Sequence, residues 1–209
     1  ENEYTLYGVK TTMTKDNAYL YADVQGMIGQ KVGYSVGTGA KLLNVNDGVN
    51  SQLYLRNLST ARLQWRIDQQ WSLTALSQFT PNLPSLSSLS PVFQQTDDVE
   101  GQQGNPNLKP SEFWLNRLRL RWSHPEGWYI NGTVGYWRWC HPMVQTYAYD
   151  PSRDLFIRTL QNADHWQALF ANANMGVQGL WQCLNLSLFW DYGHYTTESE
   201  NFSHTRDNF

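Results

Sequence analysis

The chain has no surplus of positive charge, only two cysteines and no stretch with the period of an amphipathic helix. Each shortage removes a class of function. Fifteen lysines and arginines against eighteen aspartates and glutamates give a net charge of −3 over 209 residues and a pI near 5.9, so there is no basic footprint for a nucleic-acid partner. No Ser/His/Asp, Cys/His or paired-carboxylate arrangement has a catalytic spacing, and an enzyme is not expected. No cofactor is implied. Without helix-period segments an ordinary helical or α/β core is excluded too.

What is plentiful is glycine (15), tyrosine (12) and tryptophan (10), set in segments that alternate apolar with small or polar residues. The expected fold class is therefore all-β. Successive strand side chains point to opposite faces, so residue-number parity sorts each segment. Between residues 31 and 43, Val32, Tyr34, Val36, Ala40 and Leu42 share one face, and Gly33, Ser35, Gly37, Gly39 and Lys41 the other. Ala18, Leu20, Ala22 and Val24 form a similar row, as do Leu169, Ala171, Ala173, Met175 and Val177, and then Leu184, Leu186, Leu188 and Trp190. Trp114, Leu118, Leu120 and Trp122 oppose Arg117, Arg119 and Arg121, and arginines in succession are hard to bury in a dry core. Each apolar row runs about ten residues, the length of a tilted strand crossing a bilayer. The mean hydropathy of −0.56 agrees, because alternation averages the apolar face away.

The architecture expected is an antiparallel up-and-down transmembrane β-barrel segment of about nine to ten strands. Connections alternate in length, which assigns an orientation: short around Gly26–Lys31, Ile67–Gln70, Ser123–Gly127 and Gln178–Gly179, long around Leu43–Ser51, Thr80–Ser111, Cys140–Asp164 and Tyr192–His204. Short turns belong to the periplasm and long loops outside. Trp65, Trp71, Trp122, Trp128 and Trp181 lie beside short turns, and Trp114, Trp137, Trp139, Trp166 and Trp190 toward the long loops, a pattern of two interfacial belts. Arg56, Arg62, Arg66, Arg117, Arg119 and Arg121 lie opposite the apolar rows and should line the lumen.

Other candidate sites are weak. Cys140 and Cys183 fall near opposite ends of strands, ~20 Å or more apart by strand rise, whereas a disulfide needs Cα atoms within about 7 Å, so no bond is expected. His141, His165, His194 and His204 gather on the outer side without a metal-ligand spacing, and no metal is expected. Asn46-Asp47-Gly48 reads as a turn rather than a calcium loop. Among the Asn-x-Ser/Thr sequons at Asn57, Asn131, Asn185 and Asn201, the first three fall within strands, where glycosylation is not expected.

A more specific signal lies between residues 81 and 122. A Pro/Ser/Leu loop, Pro84-Ser85-Leu86-Ser87-Ser88-Leu89-Ser90-Pro91, is followed by Gly104-Asn105-Pro106-Asn107-Leu108-Lys109-Pro110 and then by an amphipathic strand. This resembles the TonB-dependent receptor barrel, in particular the outer-membrane β-barrel family of Bacteroidota, where an Asn-Pro-x-Leu-x-Pro motif ends an extracellular loop. Tyr19-Leu20-Tyr21-Ala22-Asp23-Val24-Gln25-Gly26 and Trp71-Ser72-Leu73 fit the family loosely. Ser111 departs from it, standing where many members carry glutamate, with Glu112 one place later. The prolines restrict the residues before them and remove amide donors, which suits a fixed loop-to-strand turn without ligand chemistry of its own.

The resemblance implies a bacterial outer-membrane receptor importing a siderophore, cobalamin or oligosaccharide. It implies a barrel of about 22 strands in contact with outer-membrane lipid, of which this chain is one part. It implies a plug domain, coupled to the TonB complex, that is not visible in this segment, and in glycan importers a lipoprotein lid partner. The arginines then face the plug, the lumen water or an anionic substrate. The loops Thr80–Ser111 and Cys140–Asp164 are the expected ligand-facing parts, the second an extended hairpin around Asp150-Pro151-Ser152-Arg153-Asp154. Phe93, Tyr147, Tyr149, Phe156 and Trp166 are its candidate ligand-facing aromatics. The alternatives are a small structural outer-membrane barrel or adhesin, for which Phe209 would be the aromatic end, and a secreted carbohydrate-binding β-protein.

Overall fold

A computed structural model of the chain describes residues 2–6, 9–46, 51–180, 184–199 and 202–208. Asp47, Gly48, Trp181, Cys183, Asn201 and Phe209, each of which carried an expectation, lie outside the described residues. The strands are β1 (Asn2–Leu6), β2 (Val9–Ile28), β3 (Val32–Asn46), β4 (Ser51–Arg66) and β5 (Trp71–Asn82). After a short helix, α1 (Leu86–Leu89), come β6 (Phe93–Gln95), β7 (Glu100–Gln103), β8 (Ser111–Ser123), β9 (Trp128–Cys140), β10 (Met143–Asp150) and β11 (Leu155–Asn162). The chain continues through β12 (His165–Leu180), β13 (Leu184–Ser199) and β14 (Phe202–Asn208).

Ten of these strands form one antiparallel sheet in the order β1-β2-β3-β4-β5-β8-β9-β12-β13-β14, so every strand pairs with its neighbour in the wall. This is the up-and-down arrangement expected. Its register places whole rows on one side. Ile28, Val32, Trp65, Leu73, Leu120, Gly132, Ala173 and Trp190 are successive partners across eight strands, a nearly unbroken apolar row. One residue away, Gly33, Gln64, Thr74, Arg119, Thr133, Asn172 and Asp191 form a row almost wholly polar on the opposite face. The apolar face is uncovered: Leu20 is 76% exposed and Leu188 62%. A β-sandwich buries its apolar faces between two sheets, so that alternative fails here. No helix of the described residues is long and apolar enough to cross a membrane, and the crossing elements are strands.

The short turns are closed by local hydrogen bonds. Between β4 and β5 the Asp68 carboxylate accepts from the Gln70 and Trp71 amides at 2.7 and 2.8 Å. Those bonds, Trp71's first, hold the Asp68 pKa below the ordinary carboxylate range. Between β8 and β9, Gly127 has φ +91°, and a Cβ there would lie 2.2 Å from the Gln178 carbonyl oxygen. The expected turn at Gln178–Gly179 is instead a register shift within β12, where Asn185 Oδ1 accepts from the Gly179 amide at 2.9 Å. The strand runs on to Leu180 before β13 begins at Leu184.

The other end departs further from expectation. Leu43–Ser51 and Tyr192–His204 are not long loops: β3 and β4 stay paired out to Asn46 and Ser51, and β13 and β14 out to Ser199 and Phe202. The extensions persist because their inner faces have something to pack on. Leu43 and Val45 are buried on the arginine-bearing side against Leu89 and Leu108, with Tyr54, Leu83, Leu86, Met143 and Leu160 around them. Apart from these residues of β3 and Tyr54 of β4, the small core is contributed by the two loops that are long.

Candidate functional site

Those two loops combine. The Cys140–Asp164 segment forms the expected hairpin of β10 and β11, and β11 then pairs in parallel with β7, giving a separate sheet ordered β10-β11-β7-β6. At the hairpin tip Asp150 accepts from the Ser152 hydroxyl at 2.7 Å and its amide at 2.9 Å, and pairs with Arg153. The Ser152 hydroxyl bond first, then Arg153, lowers the Asp150 pKa from its usual value. Tyr149 donates to Asp154 at 2.6 Å, and that bond raises the phenol pKa. Because the Asp150 pKa is depressed by folding, its contribution is complete above the ordinary carboxylate range and is lost as pH falls through the depressed value. Amide exchange at Ser152, corrected for its intrinsic pH dependence, should stay slow at neutral pH and quicken only below about pH 4.

The Asn105–Pro110 motif joins this loop sheet to the barrel wall. Gly104 donates its amide to the Ser90 carbonyl at 2.9 Å, and a Cβ there would lie 2.4 Å from that same oxygen, so no larger residue fits without moving backbone. Asn105 donates from Nδ2 to the Leu160 carbonyl at 3.1 Å and accepts from the Asn107 amide at 2.9 Å. The carbonyls of Pro106 and Leu108 accept from Gln52 and Tyr54 of β4. Asn162 holds Lys109 at both backbone positions, accepting its amide at 2.7 Å and donating to its carbonyl at 3.0 Å, and also donates to the His141 carbonyl at 2.8 Å. Pro110 leads into Ser111, which is fully buried. The motif's backbone and the Asn105 side chain are thus engaged in loop structure.

On the inner wall Arg62 and Arg117 flank Leu76, and Arg66 and Arg121 flank Ser72, two strand spacings apart, or about 10 Å. Arg119 lies in the polar row between them. None of these five arginines forms an ion pair among the described residues. Arg56 differs: it lies above the point where the pairing of β4 with β5 ends, at Ser59 and Phe79, and pairs with Glu112 at 3.6 Å. That pair gives Glu112 a structural role that sequence reasoning missed.

The tryptophans correct one expectation. Trp65 and Trp128 by the short turns, and Trp114 and Trp190 nearer the loops, are exposed on the apolar face as belts require. Trp137 and Trp139 are on the arginine face because their register partners Leu115 and Phe113 belong to it, and Trp166 joins them as the partner of Trp139. Position along a strand suggested a belt, whereas parity assigns them to the lumen side. There they cluster with Phe113 and Tyr195. Trp139 stacks on Trp166 with centroids 6.1 Å apart and planes 8° apart, and Trp137 meets Trp166 edge-on at 5.4 Å. Phe113 packs on Trp139 at 5.6 Å, and Tyr195 on Trp137 at 6.1 Å. The indole N–H of Trp139 is buried and has no acceptor among the described residues.

The five candidate loop aromatics therefore separate. Tyr147, Tyr149 and Phe156 share one exposed face of the loop sheet. Phe93 is on the other face, with the Arg153 guanidinium 4.8 Å over its ring. Trp166 belongs to the barrel wall. The histidines do not converge, and the described residues hold no cluster of three metal-ligating side chains. His194 instead pairs with Asp207 at 2.7 Å.

With rows, loops and inner wall in place, comparison with known proteins adds an independent observation. The model of the outer membrane protein beta-barrel family matches residues 12–209. The chain belongs to that family. Its seat is the bacterial outer membrane. No curated protein matches the chain in sequence. Among solved structures, the copper transporter OprC superposes with a TM-score of 0.66 at 10% identity, over 93% of this chain and 34% of that one. The FrpB iron transporter from Neisseria meningitidis gives 0.61 at 14% identity, over 96% and 27%. The siderophore receptor PirA from Pseudomonas aeruginosa gives 0.54 at 12%, over 94% and 48%. At these identities the likeness is one of fold. The family member described here spans less than half the length of each of these proteins.

Proposed function

We propose that the chain is wall and loops of a TonB-dependent outer-membrane receptor that imports a scarce ligand, of the siderophore, cobalamin or oligosaccharide classes. The observation that carries this reading is the inner face: five arginines without an ion pair among the described residues below, an aromatic cluster above them, and two loops folded down onto the same face. In this reading all of the wall belongs to one barrel domain, and the plug comes from elsewhere in the protein. The loops capture the ligand, and the Trp137/Trp139/Trp166 cluster receives it or a plug loop. The arginines face acidic groups of the plug, which passes on energy from TonB. A lipoprotein lid over the loops belongs to the same scheme if the cargo is a glycan.

The test is fractionation of cells expressing the protein, comparing boiled with unboiled samples, followed by capture on the purified periplasmic domain of TonB. An outer-membrane band far larger than 24.2 kDa that shifts on boiling and is captured is the expected result. A heat-modifiable band of 24.2 kDa that TonB does not retain would return the small structural barrel or adhesin.

A further inference from the structure

One face of the loop sheet packs on the small core only at Met143 and Leu160 and is open beyond them. Along it run Gln145, Tyr147 and Tyr149 of β10, their partners Leu160, Arg158 and Phe156 of β11, and Gln102 and Glu100 of β7. At one end of this face a cavity of about 290 Å³ opens between the sheet and the turn of α1, lined by Ser87, Ser88, Gln102, Gln103, Gln145 and Arg158 among others. At the other end Tyr147, Tyr149 and Phe156 are each more than half exposed. Tyr149 and Phe156 pack ring to ring at 5.4 Å.

The chemistry of the cavity is neutral. Arg158 is its charged group, and that charge is matched by Glu100 at 3.3 Å while Nη2 donates to Gln102 Oε1 at 2.9 Å. An anionic ligand would find no uncompensated cation. The amides are half used: Gln102 accepts from Arg158 and keeps its NH₂ donors, Gln145 donates to the Tyr147 hydroxyl and keeps its carbonyl, and Gln103 donates to the Pro91 carbonyl at 2.8 Å and keeps its own. Donors and acceptors side by side match adjacent hydroxyl groups, each of which both gives and takes a hydrogen bond. The volume lies at the small end for ligand sites, too small for intact cobalamin. The aromatic faces next to it, negative at their π-surface, suit the C–H face of a sugar ring.

We propose that this face binds a neutral oligosaccharide, one sugar unit in the Gln102/Gln145/Arg158 cavity and the next over Tyr147 and the Tyr149/Phe156 pair. The inference rests on the transporter reading only in placing these loops outside the cell. Binding is therefore measured apart from transport. The whole protein as encoded, purified in detergent and checked for heat-modifiable migration, is titrated calorimetrically with maltohexaose, xylohexaose, mannohexaose and laminarihexaose, with cyanocobalamin and ferrichrome as comparators. The expected result is binding of one hexasaccharide, weakened about tenfold or more in the Gln102→Ala/Gln145→Ala variant. Tyr147→Ala should weaken it about fivefold and Tyr147→Phe less than about twofold, since the ring and not the hydroxyl faces the sugar. Binding of the comparators alone, no binding of any hexasaccharide by folded protein, or an unchanged affinity in the double-glutamine variant overturns the proposal. Sugar binding without TonB capture removes the transport reading and leaves this one, and TonB capture without sugar binding does the reverse.

Discussion

Leu118→Arg in β8 should destabilise the folded barrel by about 2–4 kcal/mol, the cost of an arginine near the bilayer midplane on the lipid face of an outer-membrane barrel. Leu118 lies midway between Trp122 at the short turn and Trp114 at the far belt. It is 43% exposed, in a row that reads Ala75, Leu118, Val134, Ala171 across four strands and offers no carboxylate. An arginine there has only lipid to face. The same strand already carries Arg117, Arg119 and Arg121, so the penalty must come from the face and not from the strand. Arg119→Leu, one residue away in the polar row, should change stability by no more than about 0.5 kcal/mol. Urea unfolding of the whole protein in lipid vesicles, followed by the fraction of unboiled fast-migrating band, measures both. Equal losses from the two substitutions would mean that the faces have been assigned wrongly.

The faces were legible in the sequence because their cause is local. A strand with water on one side and hydrocarbon on the other must alternate, and parity alone gave the Leu20, Leu118, Leu169 and Leu186 rows and the arginines on the face opposite them. The same rule would have moved Trp137 and Trp139 inward, since they share parity with Asn131 and Thr133 rather than with Ile130 and Val134. Reading them by height along the strand hid that. Strand ends were legible only at the short turns. At the other end β3 and β13 continue past the membrane because residues distant in sequence cover them: Leu89 and Leu108 over Leu43 and Val45, and Trp137 beside Tyr195. No local pattern announces such contacts. The motif around Asn105 marked a loop-to-strand turn, yet its partners, Leu160 and Asn162 in the other long loop and Tyr54 in β4, are 50 residues or more away in the chain. The glutamine-lined cavity was invisible for the same reason, because a parallel pairing of β7 with β11 brings Gln102 beside Arg158.

Leu108→Ala should open the extracellular loops while leaving the barrel wall folded. Leu108 is 1% exposed in a core whose other buried members are Leu43, Val45 and Leu89, so few neighbours can close the space its side chain vacates. Removing a fully buried leucine costs about 2–5 kcal/mol. Apart from the outer extension of β3, which packs on the same core, the wall does not share that loss, because its strands are held by backbone pairing and lipid contact. The cost therefore falls on the equilibrium between packed and open loops, and even its lower bound raises the open population roughly thirtyfold. Trypsin applied to whole cells should cut after Arg153 or Arg158 faster by about that factor, while the unboiled band keeps its fast migration. Gly104→Ala provides an independent route to the same state, since its new Cβ meets the Ser90 carbonyl oxygen rather than a side chain that can yield. If both variants open the loops, the Leu108 core and the Gly104 crossing act as one closure, and the oligosaccharide face, built from the same two loops, should be lost with it. Unchanged cleavage in both would show that the loops are held by the hairpin sheet alone.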